Sequence, residues 1–224
     1  MGARSTLKRA GLLVAVPAAA IAGWTAFVRP WMRRWGATDE ELARPMPGDE
    51  LIPRPRYRST RAITIRARPE EIWPWIVQMG NGRGGLYSID VLDRLLGVIE
   101  APSAERVLPE WQDLRPGDVI PIGGTAGWPV HALERERSLV LRIEQGEALV
   151  TQAWGLYPVD GETTRLVLRV RGAAAPGMRS AALVAVIEPQ ELVMVRAQLI
   201  GIRRRAEALA AARRAPAQSP GAEG

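Results

Sequence analysis

The C-terminal part of the sequence combines two patterns that restrict the fold more than any other feature. Between residues 189 and 209 apolar residues recur at alternating spacings of three and four, which predicts a long amphipathic helix that starts at Pro189. Before it come segments with strand-like alternation, separated by short turns rich in Gly, Asp and Glu: residues 119–122, 128–134, 139–144, 148–157 and 164–171. Strands linked in this way form an antiparallel sheet with one apolar face, and that face must be covered. The long helix is the only predicted element with enough apolar surface to cover it.

Upstream of these strands, the sequence predicts one further strand and two short helices. Residues 57–67 alternate between apolar and polar side chains and predict a half-buried strand. Pro69, followed by two glutamates, starts a helix that ends at Gly80, and residues 88–96 predict a second helix. The apolar run 181–187 is too short to span a bilayer and predicts a buried strand or a cavity lid, with contact to the membrane beside the anchor as the alternative. The order of elements is that of an α+β fold, a curved antiparallel sheet wrapped around a long C-terminal helix, with a hollow between them.

Composition excludes several kinds of catalytic site. The chain has no cysteine and one histidine, His131, so disulfide frameworks, thiolate metal sites and multi-histidine metal sites are ruled out. No Gly-x-Ser-x-Gly nucleophile elbow is present, and the glycine-rich stretch 80–88 lacks the pattern of a P-loop or a dinucleotide-binding loop. We therefore expect no metal, no cofactor and no catalytic set of residues.

The net positive charge of the chain comes entirely from its N-terminal segment. The formal charge is +6, and the first 36 residues carry the whole excess, with six basic residues and no acidic one: Arg4, Lys8, Arg9, Arg29, Arg33 and Arg34. The rest of the chain is balanced, which argues against a nucleic-acid partner. We divide the chain into a basic N-terminal segment (1–36), a Pro-rich connector (37–56), a globular domain (57–212) and a disordered tail (213–224).

The N-terminal segment contains a charge-free run, residues 10–28, long enough to cross a hydrocarbon core of roughly 30 Å as a hydrophobic helix. Trp24 and Trp31 cluster toward its end, where indole rings favour the headgroup region. This predicts a membrane anchor. Two alternatives stay open: a secretory signal cleaved after the Ala-Ile-Ala motif at 20–22, or a helix docked on the domain. Equal numbers of basic residues flank the run, so its orientation is undecided.

Several segments resemble a known family. The strand at 61–65 and the helix start PEEIWPW at 69–75 resemble the opening of the SRPBCC superfamily, the START-like and birch-pollen-allergen-like helix-grip proteins, which include polyketide cyclase/dehydrase and lipid-transport domains. Further segments resemble an actinobacterial-type subgroup: WGAT at 35–38, PGDE at 47–50, QMG at 78–80, GRGGLYS at 82–88, LRPGD at 114–118 and LIGIRRRAE at 199–207. The resemblance covers about residues 35–209. It implies a helix-grip fold with a cavity for an apolar or amphipathic ligand such as a lipid, a polyketide or an isoprenoid-like molecule.

Six residues are candidates for binding such a ligand: Trp75, Arg83, Tyr87, Trp128, His131 and Trp154. In the glycine-rich loop, Arg83 is placed to meet an anionic group and Tyr87 to supply a hydroxyl, unless the loop is only a tight connection with Tyr87 packed and Arg83 solvated. Alternation of the strand turns His131 to the face opposite Val130 and Ala132, which is either the cavity face or the position of an ordinary hydrogen-bonded or surface histidine. The tryptophans either fill the core or line the hollow.

These observations predict a membrane-tethered domain that binds a hydrophobic or amphipathic small molecule between its sheet and its C-terminal helix. The alternative is an enzyme of the cyclase, aromatase or dehydratase type that uses His131, Tyr87 and Arg83 for proton transfer. The scarcity of titratable groups favours binding over catalysis.

Overall fold

The computed structural model describes residues 23–146, 148–173 and 178–214, with the side chains of residues 145 and 178–187 excepted. Its helices are α1 (Arg29–Arg33), which continues a π-helical turn at Trp24–Val28, α2 (Asp39–Ala43), α3 (Pro69–Val77), α4 (Asp90–Leu95) and α5 (Met178–Arg214). Short 3₁₀ turns lie at Asp49–Leu51 and Pro109–Trp111.

The strands form one six-stranded antiparallel sheet in the order β1-β6-β5-β4-β3-β2. Their bounds are β1 (Tyr57–Ile65), β2 (Val119–Pro121), β3 (Gly127–Glu134), β4 (Ser138–Gln145), β5 (Ala148–Pro158) and β6 (Thr164–Ala173). Strands β2 to β6 follow one another as neighbours, and β1 pairs with the last strand, β6. The predicted strands are therefore confirmed, with ends shifted by a residue or two.

The sheet curves around α5, and the main hydrophobic core lies between them. On this inner face, one register row contains Arg61, Leu168, Trp154 and Leu139 on four neighbouring strands. Helix α5 contributes buried residues spaced by three, four or seven positions: Val195, Leu199, Ile202, Ala206 and Ala210. This arrangement confirms the α+β helix-grip fold that the sequence predicts.

The opposite, outer face of the sheet is covered by residues 37–53, which we call the strap. Met46 of the strap packs with Ala62, Ala153 and Val167 in a second hydrophobic cluster. Within the strap, Thr38 caps α2 by accepting a hydrogen bond from the backbone N–H of Glu41. The Pro-rich segment that the sequence marks as a connector is thus packed against the sheet as a covering layer.

The long helix begins earlier than the sequence predicts. Helix α5 starts at Met178, so Pro189 lies inside it and the run 181–187, predicted as a strand or lid, is helical. An internal proline removes one backbone hydrogen bond but leaves the bonds on either side in place, so it need not mark a helix start. The helix ends at Arg214, and residues 215–224 of the predicted tail lie outside the described residues.

Most of the predicted membrane anchor, residues 10–22, also lies outside the described residues. The part that is described, from residue 23 onward, forms the π-helical turn and α1, and α1 contacts α5 and β1. Among the residues described, no helix combines the length and the apolar composition that a bilayer crossing requires.

Candidate functional site

The inner face contains three polar atoms that are buried without a hydrogen-bond partner among the described residues. They are the indole N–H groups of Trp75 and Trp154 and the hydroxyl of Tyr87, and all three side chains belong to the main core. Nearly all buried polar groups in proteins are hydrogen-bonded, so three such groups in one core call for a physical explanation. A small molecule with hydrogen-bond acceptors supplies one.

The positions of the two tryptophans follow from the local sequence. Trp154 lies on β5 between Leu139 of β4 and Leu168 of β6, in the inner-face row. Trp75 lies on α3, which starts at Pro69 and packs on the same core. The rings of Trp75 and Tyr87 meet edge to face, with centroids 6.0 Å apart and planes at 84°.

Tyr87 is held in an unusual backbone conformation. Its φ of 59° is in the left-handed region that side chains other than those of glycine, asparagine and aspartate rarely adopt. Helix α5 passes directly behind it, because a Cβ at Gly201 would overlap the Tyr87 carbonyl oxygen. The backbone N–H of Tyr87 donates to Ser103 Oγ over 2.9 Å. Strained residues persist where the surrounding structure fixes them, and they cluster at functional sites.

The Tyr87 hydroxyl is neutral at physiological pH. Burial raises its pKa well above the ordinary value for tyrosine, while nearby Gln78 and Arg205 act in the opposite direction. The Gln78 side chain is already engaged, since it donates to the carbonyl of Arg106 and accepts from the N–H of Leu108. The Arg205 guanidinium lies 4.8 Å from the centre of the Tyr87 ring. Tyr87 thus carries an un-ionised O–H donor, which lies against Gly84 of the glycine-rich loop.

Arg83 does not join the three inner-face groups. Its guanidinium donates to the Val77 carbonyl over 2.8 Å and lies 4.5 Å from the Trp111 ring centre. It lines a surface cleft of about 280 Å³ together with Trp111 and the carboxylates of Glu110, Asp113 and Asp118. Burial lowers the pKa of Arg83, and the neighbouring Asp118 partly offsets this effect. The loop thus turns its tyrosine inward and its arginine toward the cleft.

His131 lies on the other side of the sheet from the core. The register of β3 and β4 shifts between Val130 and Ala132, and His131 sits at this bulge with an exposed side chain. It lines a cleft of about 310 Å³ beside Arg142 and Glu144. Alternation places His131 opposite Val130, and because Val130 packs in the main core, His131 faces outward. The face opposite Val130 is therefore not the cavity face.

Trp128 and one residue that the sequence analysis missed complete the inner face. Trp128 of β3 is half-buried and packs against the main core. Gln152 lies on β5 two residues before Trp154, opposite Leu141 and Val170, and is also half-buried. The two-residue period of β5 contained this information, because it places Gln152 on the same face as Trp154.

A charged cluster lies on the inner face beside the start of β1. Arg61, although almost fully buried, donates to Glu191 over 2.7 Å and to the Met32 carbonyl over 3.1 Å. Tyr57 and Ser59 also donate to Glu191. Burial and the Glu191 carboxylate raise the pKa of Tyr57 to about 12. This cluster is satisfied by its own members, unlike the three donors in the core.

Within the described ranges, no cluster of three or more potential metal ligands occurs. The expectation that the chain uses no metal and no cofactor stays a prediction.

The architecture places the chain in the helix-grip class of α+β proteins. Among solved structures, the chain is similar to the Zhui aromatase/cyclase from Streptomyces sp. R1128, with 16% identity and a TM-score of 0.43 over 67% of this chain and 93% of that one. It is also similar to a Polyketide_cyc-like protein from Corynebacterium glutamicum, with 13% identity and a TM-score of 0.40 over 66% and 89%. A third is a Thermobifida fusca protein, with 13% identity and a TM-score of 0.43 over 68% and 94%.

The resemblance to SRPBCC-type proteins drawn from the sequence is not argued from these structures. At such low identities and TM-scores the similarity concerns the fold, and no ligand or activity is taken from it. A scan against protein-family models gives no match, and a comparison with curated proteins gives none either.

Proposed function

We propose that this protein binds an apolar small molecule that carries hydrogen-bond acceptor oxygens, on the inner face between the sheet and α5. The observation that carries the proposal is the set of three buried donors without a partner, Trp75 Nε1, Trp154 Nε1 and the Tyr87 hydroxyl. Leaving such a donor unpaired costs about 1–3 kcal/mol, a cost that a ligand acceptor removes on binding. Apolar walls with a few placed polar groups are characteristic of small-molecule sites.

The room for such a ligand lies toward the start of β1. The register row of Trp154 is fully buried, whereas Tyr57, Val150 and Gln152, farther along the same face, are only half-buried. Gly172, between Tyr57 and Val150, contributes no side chain there. The Gln152 amide adds both a donor and an acceptor. An oxygen-bearing ring system of polyketide or isoprenoid type matches this mixture better than a plain acyl chain.

Two probes of the same shape test the proposal. We would measure binding of 9,10-anthraquinone and of anthracene to the full-length chain by equilibrium dialysis, since only the quinone carries acceptor oxygens. We expect the quinone to bind more tightly. Trp154→Phe keeps an apolar ring and removes one donor, so it should weaken quinone binding by about tenfold, the loss of one buried hydrogen bond, and change anthracene binding little.

Trp111→Phe is the matched control, because Trp111 lies in the surface cleft outside the inner face. It should leave the binding of both probes unchanged. Equal binding of the two probes to the wild-type chain, or no binding of either, would refute the proposal.

A second candidate function, an enzyme of the cyclase, aromatase or dehydratase type, is favoured by one observation. The Tyr87 hydroxyl is un-ionised, buried and close to the Arg205 guanidinium, which suits a general acid that protonates a departing hydroxyl or a developing enolate. The enzyme would dehydrate a β-hydroxy ketone, with the α-proton and the hydroxyl leaving as water.

The model substrate 3-hydroxy-1-tetralone tests this candidate, because loss of water gives fluorescent 1-naphthol. An enzyme should accelerate the release of 1-naphthol, and Tyr87→Phe should reduce the rate by about 10²-fold or more. The Trp111→Phe control should keep the wild-type rate. If the wild-type chain gives only the uncatalysed rate while it binds anthraquinone, the binding function stands alone.

Membrane association through residues 10–28 is a further part of the proposed function. It is supported by the charge-free run and its basic flanks. The test is fractionation of cells that express the full-length chain, combined with mass measurement of the product. A soluble protein of unchanged mass would refute membrane association, and a protein shortened at residues 20–22 would indicate a cleaved signal.

A further inference from the structure

Residues 24–33, at the end of the N-terminal segment, form a short helical stretch with an exposed apolar surface. Trp24, Phe27, Val28 and Trp31 are 39%, 77%, 38% and 57% exposed. We call these four residues the aromatic face. Such a concentration of large apolar side chains at the surface marks an interaction site.

The other side of the same helix is fixed to the domain by ion pairs. Arg29 Nε lies 2.6 Å from Glu188 Oε2, and Arg33 Nε lies 2.9 Å from Glu188 Oε1. Glu188 is only 3% exposed, so both arginines converge on a buried carboxylate of α5. Because a buried carboxylate needs compensation, this contact is costly to break.

Backbone carbonyls at the end of α1 and just after it are also hydrogen-bonded to the domain. The Met32 carbonyl accepts from Arg61, and the Trp35 carbonyl accepts from the N–H of Ala62 over 3.1 Å. The Arg196 guanidinium lies 5.3 Å from the Trp35 ring centre. The aromatic face is therefore part of the folded domain and does not hang from a free linker.

The chemistry of the aromatic face and its surroundings matches a lipid surface. Two of its four residues are tryptophans, whose rings favour the boundary between headgroups and acyl chains. Arg29 and Arg33 share one carboxylate, which leaves one positive charge uncompensated beside the aromatic face. The chain that leads into it, residues 10–22, contains no charged residue.

We propose that the aromatic face is an interfacial membrane-binding surface that inserts among the headgroups of an anionic bilayer and, through the Glu188 contacts, sets the orientation of the whole domain. The proposal rests on membrane association and adds to it a defined surface. It differs from a transmembrane anchor on a flexible connector, because the inserted residues are rigidly joined to α5 and β1. The start of β1, where the inner face is half-buried, then lies beside the bilayer, from which an apolar ligand enters.

The absence of cysteine makes a direct depth measurement possible. A nitroxide on Phe27→Cys would be the only label on the full-length chain, and Val91→Cys, on α4 and 79% exposed, is its control. With vesicles of phosphatidylcholine and phosphatidylglycerol at 3:1, we expect the label at residue 27 to gain collision with oxygen and lose collision with a water-soluble nickel chelate. The label at residue 91 should show neither change.

A second pair of variants measures how much the aromatic face contributes to binding. Phe27→Ser combined with Trp31→Ser should reduce flotation of the full-length chain with these vesicles by about tenfold, from the apolar area withdrawn from the bilayer. Val91→Ser combined with Leu95→Ser removes equally exposed apolar residues from α4 and should change flotation little.

Glu188→Gln tests the rigid connection. We expect it to increase the mobility of the label at residue 27 while the matched Glu207→Gln, at a more exposed pair with Arg66, does not.

A chain that floats while the label at residue 27 stays in water refutes the aromatic face but keeps membrane association. A chain that does not float refutes both. A label already shielded without vesicles, at all protein concentrations, would show that residues 1–22 cover this surface, and shielding that appears only at high concentration would show a second copy; either result overturns the proposal.

Discussion

The ion pairs buried under the strap contrast with the neutral aromatic donors buried on the inner face, where Arg61 and Glu191 also form a charged pair. On the outer face, Arg169 is almost fully buried, and its guanidinium lies 2.6 Å from Asp49. Arg165 lies 2.7 Å from Glu41 of the strap in the same manner. On the inner face, the donors of Trp75, Trp154 and Tyr87 are neutral and have no partner.

On the proposed function, this difference separates a structural layer from a binding layer. Buried charges on the outer face are tolerated because each has an opposite charge in contact. Removing one partner leaves a buried charge without compensation, which is strongly destabilising. Unpaired neutral donors on the inner face cost stability in the free protein and become useful when an acceptor arrives. Substitutions on the outer face should therefore change folding, and substitutions on the inner face should change binding.

The largest effect is expected at Asp49, which meets both Arg169 and Arg171. Asp49→Asn removes the charge at nearly constant volume and should lower the free energy of unfolding by about 3–5 kcal/mol, because two buried arginines lose their counter-charge. Urea denaturation of the full-length chain measures it. Asp113→Asn, at an exposed pair with Arg115, should change it by less than about 0.5 kcal/mol. Equal effects of the two variants would contradict the structural role of the outer face.

Protonation of the buried carboxylates at low pH should break the ion pairs that they form with arginines. Burial alone would raise the pKa of Glu41 and Asp49, but hydrogen bonds from Arg165 and Arg171 outweigh it and lower both values, and Arg29 and Arg33 do the same for Glu188. A carboxylate whose pKa is lowered by folding contributes stability above its unfolded pKa of about 4, and that stability is lost as the pH falls through the folded value.

We therefore expect stability to be nearly constant from pH 7 to 5 and to fall below about pH 4. Thermal denaturation across this range checks the expectation, and Asp49→Asn should show a shallower acid dependence than the wild type. A loss of stability that begins well above pH 5 would contradict the assignment to these carboxylates.

A smaller effect is expected where α5 touches Tyr87. Gly201→Ala would place a methyl group against the Tyr87 carbonyl oxygen and should lower the free energy of unfolding by about 1–3 kcal/mol despite the better helix propensity of alanine. It should also weaken anthraquinone binding, because Tyr87 must move. Gly161→Ala is the control, since an added Cβ there meets no atom within 4 Å. A stabilised Gly201→Ala variant would show that this contact is not tight.

The smallest expected effect has the opposite sign. Tyr87→Phe removes the unpaired hydroxyl and should raise the free energy of unfolding of the ligand-free chain by about 1 kcal/mol, while it weakens quinone binding. Tyr157→Phe, on the outer face beneath the Arg44 guanidinium, should change neither quantity noticeably. Loss of stability in Tyr87→Phe would mean that the hydroxyl already has a partner in the free protein.

Much of the fold could be predicted because its signals are local. Alternation gave the strands, and the spacing of Leu199, Ile202 and Ala206 gave the covered face of α5. The predicted start of α5 was wrong because a proline is compatible with the first turn of a helix and with a helix interior. Only the conformation of the backbone before the proline distinguishes the two cases. The strap appeared as a connector because prolines exclude long elements but do not exclude packing.

The candidate site was predicted unevenly. Trp75, Tyr87 and Trp154 were brought together, whereas Arg83 and His131 lie in separate surface clefts. Large aromatic residues can be expected in a core, whereas alternation placed His131 opposite Val130 without indicating which of the two faces the core, and only the packed sheet decides that.

The sequence by itself determined the order of the elements, the charge balance of the domain and the absence of cysteine-based or multi-histidine chemistry, because these depend on composition and on neighbours a few residues apart. The tertiary structure decided which charges meet and which donors stay unpaired. Arg169 and Asp49 are 120 positions apart, Arg61 and Glu191 are 130 apart, and Arg33 and Glu188 are 155 apart. Contacts at such separations are set by strand register and helix packing, so only the folded chain shows which buried polar groups are paired and which are not.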